Sequence, residues 1–282
     1  MKRRWKQMFS KFRRQLLAGP YIIWIAGFIL LPILMILYYG LTDSSGGFTL
    51  HNTIAITEPI HMKALLLSLK LALLCTGICL LLSYPLAMIL NGMNLKRQSF
   101  VVFIFVLPMW MNFMLRILAW QLLLSNNGIF NTILDAIGLP KIQLLNTPSA
   151  VVFGMVYDFL PFMILPIYNS MTRIGRDVVD AAKDLGANAF QVFIKIILPL
   201  TVSGVLSGII MVFVPALTSF VISDLLGGGK VLLIGNVIEQ EFMQSMDWNM
   251  GSGLSIVLMV FVIASMAFMN AHGNDGEGTA VW

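Results

Sequence analysis

"DAAKDLGANAFQVFIKIILPL", residues 180–200, differs from the chain around it. It carries Asp180, Lys183 and Asp184, breaks at Gly186, and restarts before running into Leu198-Pro199, while its neighbours are apolar enough to lie in lipid. On a helix over 178–185, Ala181, Ala182 and Leu185 share one side and Lys183 and Asp184 turn away. Two adjacent Ala remove side-chain bulk, so another surface can come close. Gly186 supplies the φ freedom that ends a helix, and Asn188 with Gln191 three residues later resembles a capping box that starts the next. That second helix, rich in Phe190, Phe193, Ile194 and Ile197, feeds into an apolar span; Pro199 has no N–H and suits a helix start or a kink. The expected geometry is two short helices at a bend, continuous with a membrane span, so that a push on the exposed side is passed into the membrane. An amphipathic helix resting on lipid headgroups is the alternative.

The composition places this element in a membrane protein. Of 282 residues, 58% are hydrophobic and 11% charged, whereas a water-soluble domain needs about a quarter charged. A bilayer core takes roughly 20 apolar residues per helical span. Six stretches qualify: 20–41, 64–90, 99–124, 149–170, 196–222 and 253–270. None alternates like a barrel strand, and the first is too long and aromatic for a cleaved signal peptide. The fold class is therefore all-α integral membrane protein with six transmembrane helices. Its expected organisation is a basic tail over 1–19, a membrane domain over 20–270 holding the jointed helices at about 174–198, and a flexible Gly-rich tail over 271–282.

Lys and Arg set the orientation. Thirteen lie in the N-terminal tail and the loops on its side, against three (Lys63, Lys141 and Lys230) on the other. Both termini are expected in the cytoplasm. The net charge of +5 then reflects asymmetry across a membrane, and nucleic acid is not an expected partner.

Catalytic motifs fail on inspection. "GGGKV", residues 227–231, lacks the Ser or Thr that a phosphate loop needs after its Lys, and Asp224 stands where the first Gly belongs. No zinc-protease helix, nucleophile elbow or Cys/His cluster appears, so no enzymatic activity is expected of this chain. Cys75 and Cys79 read as small packing residues. "GVLSG", residues 204–208, lets a helix approach closely, either within the subunit or from a partner. Among charges inside spans, Lys70 can snorkel to a helix end. At about 1.5 Å per residue, Arg116 and Asp158 both fall in the outer half of the membrane, either as a buried ion pair or with Asp158 on a substrate path.

"DAAKDLG" followed by "IILPL" resembles the EAA loop of permease subunits in binding-protein-dependent ABC importers. Its pattern is Glu-Ala-Ala, three residues, Gly, nine residues, then Ile-x-Leu-Pro. Asp180, Ala181, Ala182, Gly186, Ile196, Leu198 and Pro199 fall in register, with Asp180 for Glu the one departure. "LPMWMNFMLRILAW", "TPSAVVFGMVYDFLPFMILPIYNS" and "SDLLGGGKVLLIGNVI" are similar to the permeases of spermidine/putrescine importers. The resemblance covers nearly all the chain except its tails.

It implies a type I ABC importer permease fold in a bacterial inner membrane, with the EAA loop as the coupling helix that docks in a groove of the ATPase. The implied partners are a second homologous permease completing a heterodimeric pore, two ATP-binding cassette subunits, and an extracellular or periplasmic binding protein that delivers polyamine. ATP and magnesium would bind the ATPase, leaving no cofactor in this chain. A polycation in transit would want carboxylates and aromatic faces, which Trp110, Tyr157, Asp158 and Asp224 offer; Asp224 also reads as a plain loop acid. The alternatives are an importer permease for another small substrate, and an ion-coupled secondary transporter, for which inverted repeats and broken helices would be expected.

Overall fold

The computed structural model describes residues 19–21, 23–93 and 95–273. The basic tail expected over 1–19 lies outside the described residues except for Gly19, as does the tail expected over 271–282 beyond Gly273. Apart from an isolated bridge between Thr42 and Phe48, the described residues form helices joined by turns.

Among the described residues, four helices are long and apolar enough to cross a membrane. They are α1 (Gly19–Gly40), α2 (Pro59–Gly92), α6 (Pro148–Thr172), and the helix that runs from Trp248, α12 (Trp248–Gly273). The other two expected spans are broken. The third divides into Phe103–Trp110 and Phe113–Ala136, which meet at 98°. Within it run α3 (Leu95–Val106), a 3₁₀ turn at Leu107–Trp110, α4 (Phe113–Leu124) and α5 (Ile129–Ala136). The fifth divides into α8 (Ala189–Leu200) and α9 (Val202–Thr218), bent by 64°. The described residues thus hold four unbroken spans, and the expected six when each bent pair counts as one.

Local chemistry explains the first break. Pro108 tightens the backbone into a 3₁₀ turn, Met111 and Asn112 turn extended, and Asn112 caps α4 by accepting from the Leu115 N–H at 3.2 Å. An Asn at that position satisfies a donor that a helix start leaves free.

The chain forms two compact units. The larger comprises Pro59–Glu239 and the described residues from Val260 onward. Its core lies where α2, α6 and α9 pack: Ala72, Cys75, Cys79 and Ala87 against Met155, Met163, Ile164 and Ile167, with Val212, Ala216 and Leu217 beside them, all buried. Both cysteines are fully buried, as packing residues should be. A Cβ on Gly208 would stand 2.7 Å from the Met163 sulfur, and one on Gly204 would press on Ser170 and the Pro166 carbonyl. The small-residue motif therefore serves a contact within this subunit, α9 on α6.

Beyond α9 the chain folds back as α10 (Val221–Gly227), a glycine turn, and α11 (Ile234–Met243). α10 packs against α4 and α6: the Gln121 amide donates to the Leu225 carbonyl at 2.8 Å, and Gly154 leaves room for Leu226 and Ile222. Asn131, fully buried, holds the α5–α6 loop by donating to the Ser125 and Ile142 carbonyls and accepting from the Ile142 N–H. Buried polar groups need such partners in full, since an unmet one costs roughly 1–3 kcal/mol.

The smaller unit gathers residues up to Glu58 with Gln240–Met259. The end of α1 closes on α12 at Gly40, where a Cβ would meet the Ser252–Gly253 backbone at 3.0 Å. The Asn249 amide donates to the Tyr39 and Thr42 carbonyls, and Asn52 also donates to Thr42.

Candidate functional site

The jointed helices expected at about 174–198 are present as a helical loop. α7 (Arg176–Asp184) ends in backbone bonds from Leu185 to Ala181, Gly186 to Lys183 and Ala187 to Ala182. These require Gly186 at φ +87°. A Cβ there would meet nothing within 4 Å, so Gly186 answers to backbone conformation and not to lack of space. The capping box is complete: Asn188 Oδ1 accepts from the Gln191 N–H at 2.9 Å and Gln191 Oε1 from the Asn188 N–H at 3.0 Å. On either side of the joint two apolar side chains stand in the open, Leu185 at 89% and Phe190 at 69% exposure. Ala181 is exposed and Ala182 half-buried, which leaves a low surface beside them.

Asp180 pairs with Lys183 at 3.4 Å, both exposed, and such pairs add at most about 1 kcal/mol. With Asn91, Met93, Met171 and Ile197 the pair borders a cavity of about 420 Å³ between α7 and the ends of α2, α6 and α8.

The loop joins its span through a bend held by side chains. Phe193–Ile197 is π-helical, and Leu198–Leu200, with Pro199 in its first turn, closes α8. Ile196 is half-buried, and Leu198 and Pro199 are exposed. At the bend Thr201 is fully buried; its hydroxyl reaches the Ile197 carbonyl at 2.8 Å and the Tyr84 hydroxyl at 2.7 Å. Tyr84 also stacks edge-on to Phe193 at 5.5 Å. α2 therefore holds the point where the loop turns into the membrane.

A second constellation sits in the larger unit, between α4 and α6. Arg116 and Asp158, 8% and 4% exposed, form an ion pair. Arg116 Nη1 also donates to the Pro108 carbonyl at 2.6 Å, and its guanidinium carbon lies 5.9 Å from the Tyr157 ring centre. Trp120, one turn beyond Arg116 on α4, packs edge-on to Tyr157 at 5.0 Å and Phe153 at 4.7 Å. Sequence reasoning passed over Trp120, although its spacing of four from Arg116 marks the shared helix face.

Trp110 lies elsewhere. It is 78% exposed, and its ring contact is with Phe103. Asp224, in the first turn of α10, accepts from the Asn236 amide at 2.5 Å. Asn236 donates to the Phe220 carbonyl as well and accepts from the Leu233 N–H, so it fixes α10 to the start of α11. Packed helix ends take water from the Asp224 carboxyl and push its titration upward, while the Asn236 hydrogen bond opposes this. Asp158 and Tyr157 are thus brought together with an aromatic group, whereas Trp110 and Asp224 each have separate partners.

The family described as "Binding-protein-dependent transport system inner membrane component" matches over residues 80–272, which includes the jointed loop and the Arg116–Asp158 pair. The chain belongs to this family. Its relatives include the spermidine/putrescine transport system permease protein PotB of Haemophilus influenzae, 39% identical over 259 residues, covering 89% of this chain and 90% of the relative. The protein of the same description from Escherichia coli K12 is 40% identical over 245 residues, covering 84% and 89%. Among solved structures, a chain of a bacterial ABC transporter that imports the acidic polysaccharide alginate superposes with a TM-score of 0.74. It is 18% identical and spans 98% of this chain and 100% of its own. The inner membrane component thus has the expected fold and is a multi-pass inner membrane protein.

Proposed function

We propose that this permease is half of the pore of an ATP-driven polyamine importer for spermidine and putrescine. The observation that carries the substrate class is near-full-length identity of 39–40% to permeases described as spermidine/putrescine transporters. Charge agrees with it. In the expected orientation the outer loops hold seven carboxylates (Asp43, Glu58, Asp135, Asp224, Glu239, Glu241 and Asp247) against three Lys. An acidic outer face raises the local concentration of a polycation.

In this reading a binding protein delivers polyamine to that face, a second homologous permease completes the pore, and two ATPase subunits dock on the opposite side. The jointed loop takes the docking role, with Ala181 and Ala182 as the low surface and Leu185 and Phe190 as apolar contacts. Asp180 supplies a charge, Gly186 the turn, and Ile196, Leu198 and Pro199 the link into α9. ATP and magnesium bind the ATPase. Asp158, Tyr157, Asp224 and Trp110 offer carboxylates and aromatic faces along the route, and Trp120 adds a further aromatic beside Tyr157.

The detergent-solubilised permease should co-purify with a P-loop ATPase and a second permease, identified by mass spectrometry. Recovery of active permease without an ATPase would favour ion-coupled transport. Broken helices do not decide between these, because the third and fifth spans are bent in a chain with the ABC importer fold.

A further inference from the structure

We propose that Arg116 occupies, as a tethered cation, a site for a substrate ammonium group, and that exchange of one cation for the other releases the break in the third span. The inference rests on the polyamine-importer reading. The site has three elements: the Asp158 carboxylate, the Pro108 carbonyl and the Tyr157 ring. A carboxylate, a carbonyl oxygen and a π face are what a desolvated alkylammonium seeks, by charge, hydrogen bond and cation–π attraction. Here they hold a guanidinium instead.

Two features set this pair apart from an ordinary buried ion pair. First, the fit is incomplete. Arg116 is nine-tenths buried, yet its Nε–H has no hydrogen-bond partner among the described residues. A site built for arginine would meet that donor as well.

Second, Arg116 spans the break. Its backbone belongs to α4, after the 98° bend, and its Nη1 binds Pro108, in the turn before it. Arg116 therefore ties the two arms of the broken span to each other, and through Asp158 to α6. A free ammonium can satisfy Asp158 and Pro108 equally well, but nothing tethers it to α4. Its arrival replaces the charge without replacing the tie. Trp120, on the same face of α4, packs on Tyr157 and so borders the site.

The test is a distance across the break in the complete transporter, in lipid nanodiscs with its ATPase and binding protein. Spin labels go at Leu107→Cys and Leu122→Cys, both exposed, with Cys75 and Cys79 replaced by Ala. The parent should give one dominant distance, and saturating spermidine should shift the ratio of the two states by roughly tenfold or more. Arg116→Gln should show the released distance without spermidine. Because a lone buried Asp158 can spoil folding, the neutral pair Arg116→Gln with Asp158→Asn serves as the second variant. It should also be released, and should no longer respond to spermidine.

The parent distance persisting in the neutral pair would overturn the tie. A spermidine response in the neutral pair equal to the parent's would overturn the exchange. Uptake of labelled spermidine by the same particles reconstituted in vesicles separates the two levels. Uptake by the parent with no distance change on adding spermidine overturns this proposal alone. No uptake, with the distance still released in the neutral pair, overturns the polyamine reading and the exchange together.

Discussion

Asp224 shows how a single side chain is tuned by its neighbours. It sits where α10 starts, with water partly removed by packed helix ends and one compensating hydrogen bond from Asn236. Its folded titration is raised, so on acidification it takes up a proton at higher pH than an ordinary aspartate and loses its attraction for a cation sooner. Spermidine uptake at limiting concentration should therefore fall on mild acidification, and Asn236→Leu, which removes the opposing hydrogen bond, should move that fall to higher pH. Asp224→Asn should depress uptake at neutral pH, roughly tenfold if about 1.4 kcal/mol of attraction is lost, with Asp224→Glu recovering part. Uptake by Asp224→Asn equal to the parent at the same protein level would leave Asp224 a loop acid. The Arg116–Asp158 pair was one of two readings open in the sequence, because a charge inside a membrane span needs a partner or a task. The spacing of four from Arg116 placed Trp120 on the same helix face. Its partners Phe153 and Tyr157, however, lie 33 or more positions away and Asn236 acts on Asp224 12 positions away, which no local pattern announces.

At the scale of elements, the jointed loop was the most legible part of the chain. A glycine at positive φ and an Asn/Gln capping box are local chemistry, settled within a few residues, and both are present. Gly186→Val should therefore act through backbone strain of about 1–3 kcal/mol. Substrate-stimulated ATP hydrolysis should fall while the spans still insert; Gly186→Asn, which tolerates positive φ, should retain more of it. The broken third span was not legible from a window of apolar residues, which measures length and assumes straightness. Pro108 and Asn112 were there to be read as a turn and a cap. Depth estimates for Arg116 that count residues along one axis fail at that bend. The α9–α6 contact makes a further claim: Gly208→Leu should overpack against Met163. Overpacking costs about 1–3 kcal/mol, visible as a lower midpoint of thermal unfolding in detergent, whereas Gly77→Leu, with open space around its Cβ position, should not lower it.

For the whole molecule, orientation rests on thirteen Lys and Arg against three, and on nothing that the helices themselves reveal. Lys141→Cys and Lys183→Cys, both exposed in the parent, give the check. A membrane-impermeant thiol reagent should reach position 141 in intact cells and position 183 only after permeabilisation. The central claim is more specific: ATP hydrolysed on one side drives polyamine through this permease from the other. The most direct measurement is uptake of labelled spermidine into proteoliposomes containing the permease, its partner permease and ATPase subunits, with ATP enclosed and the binding protein outside. The account predicts accumulation that requires both ATP and the binding protein and is nearly abolished by Gly186→Val. Accumulation that persists without ATP and follows an imposed proton or sodium gradient would contradict it.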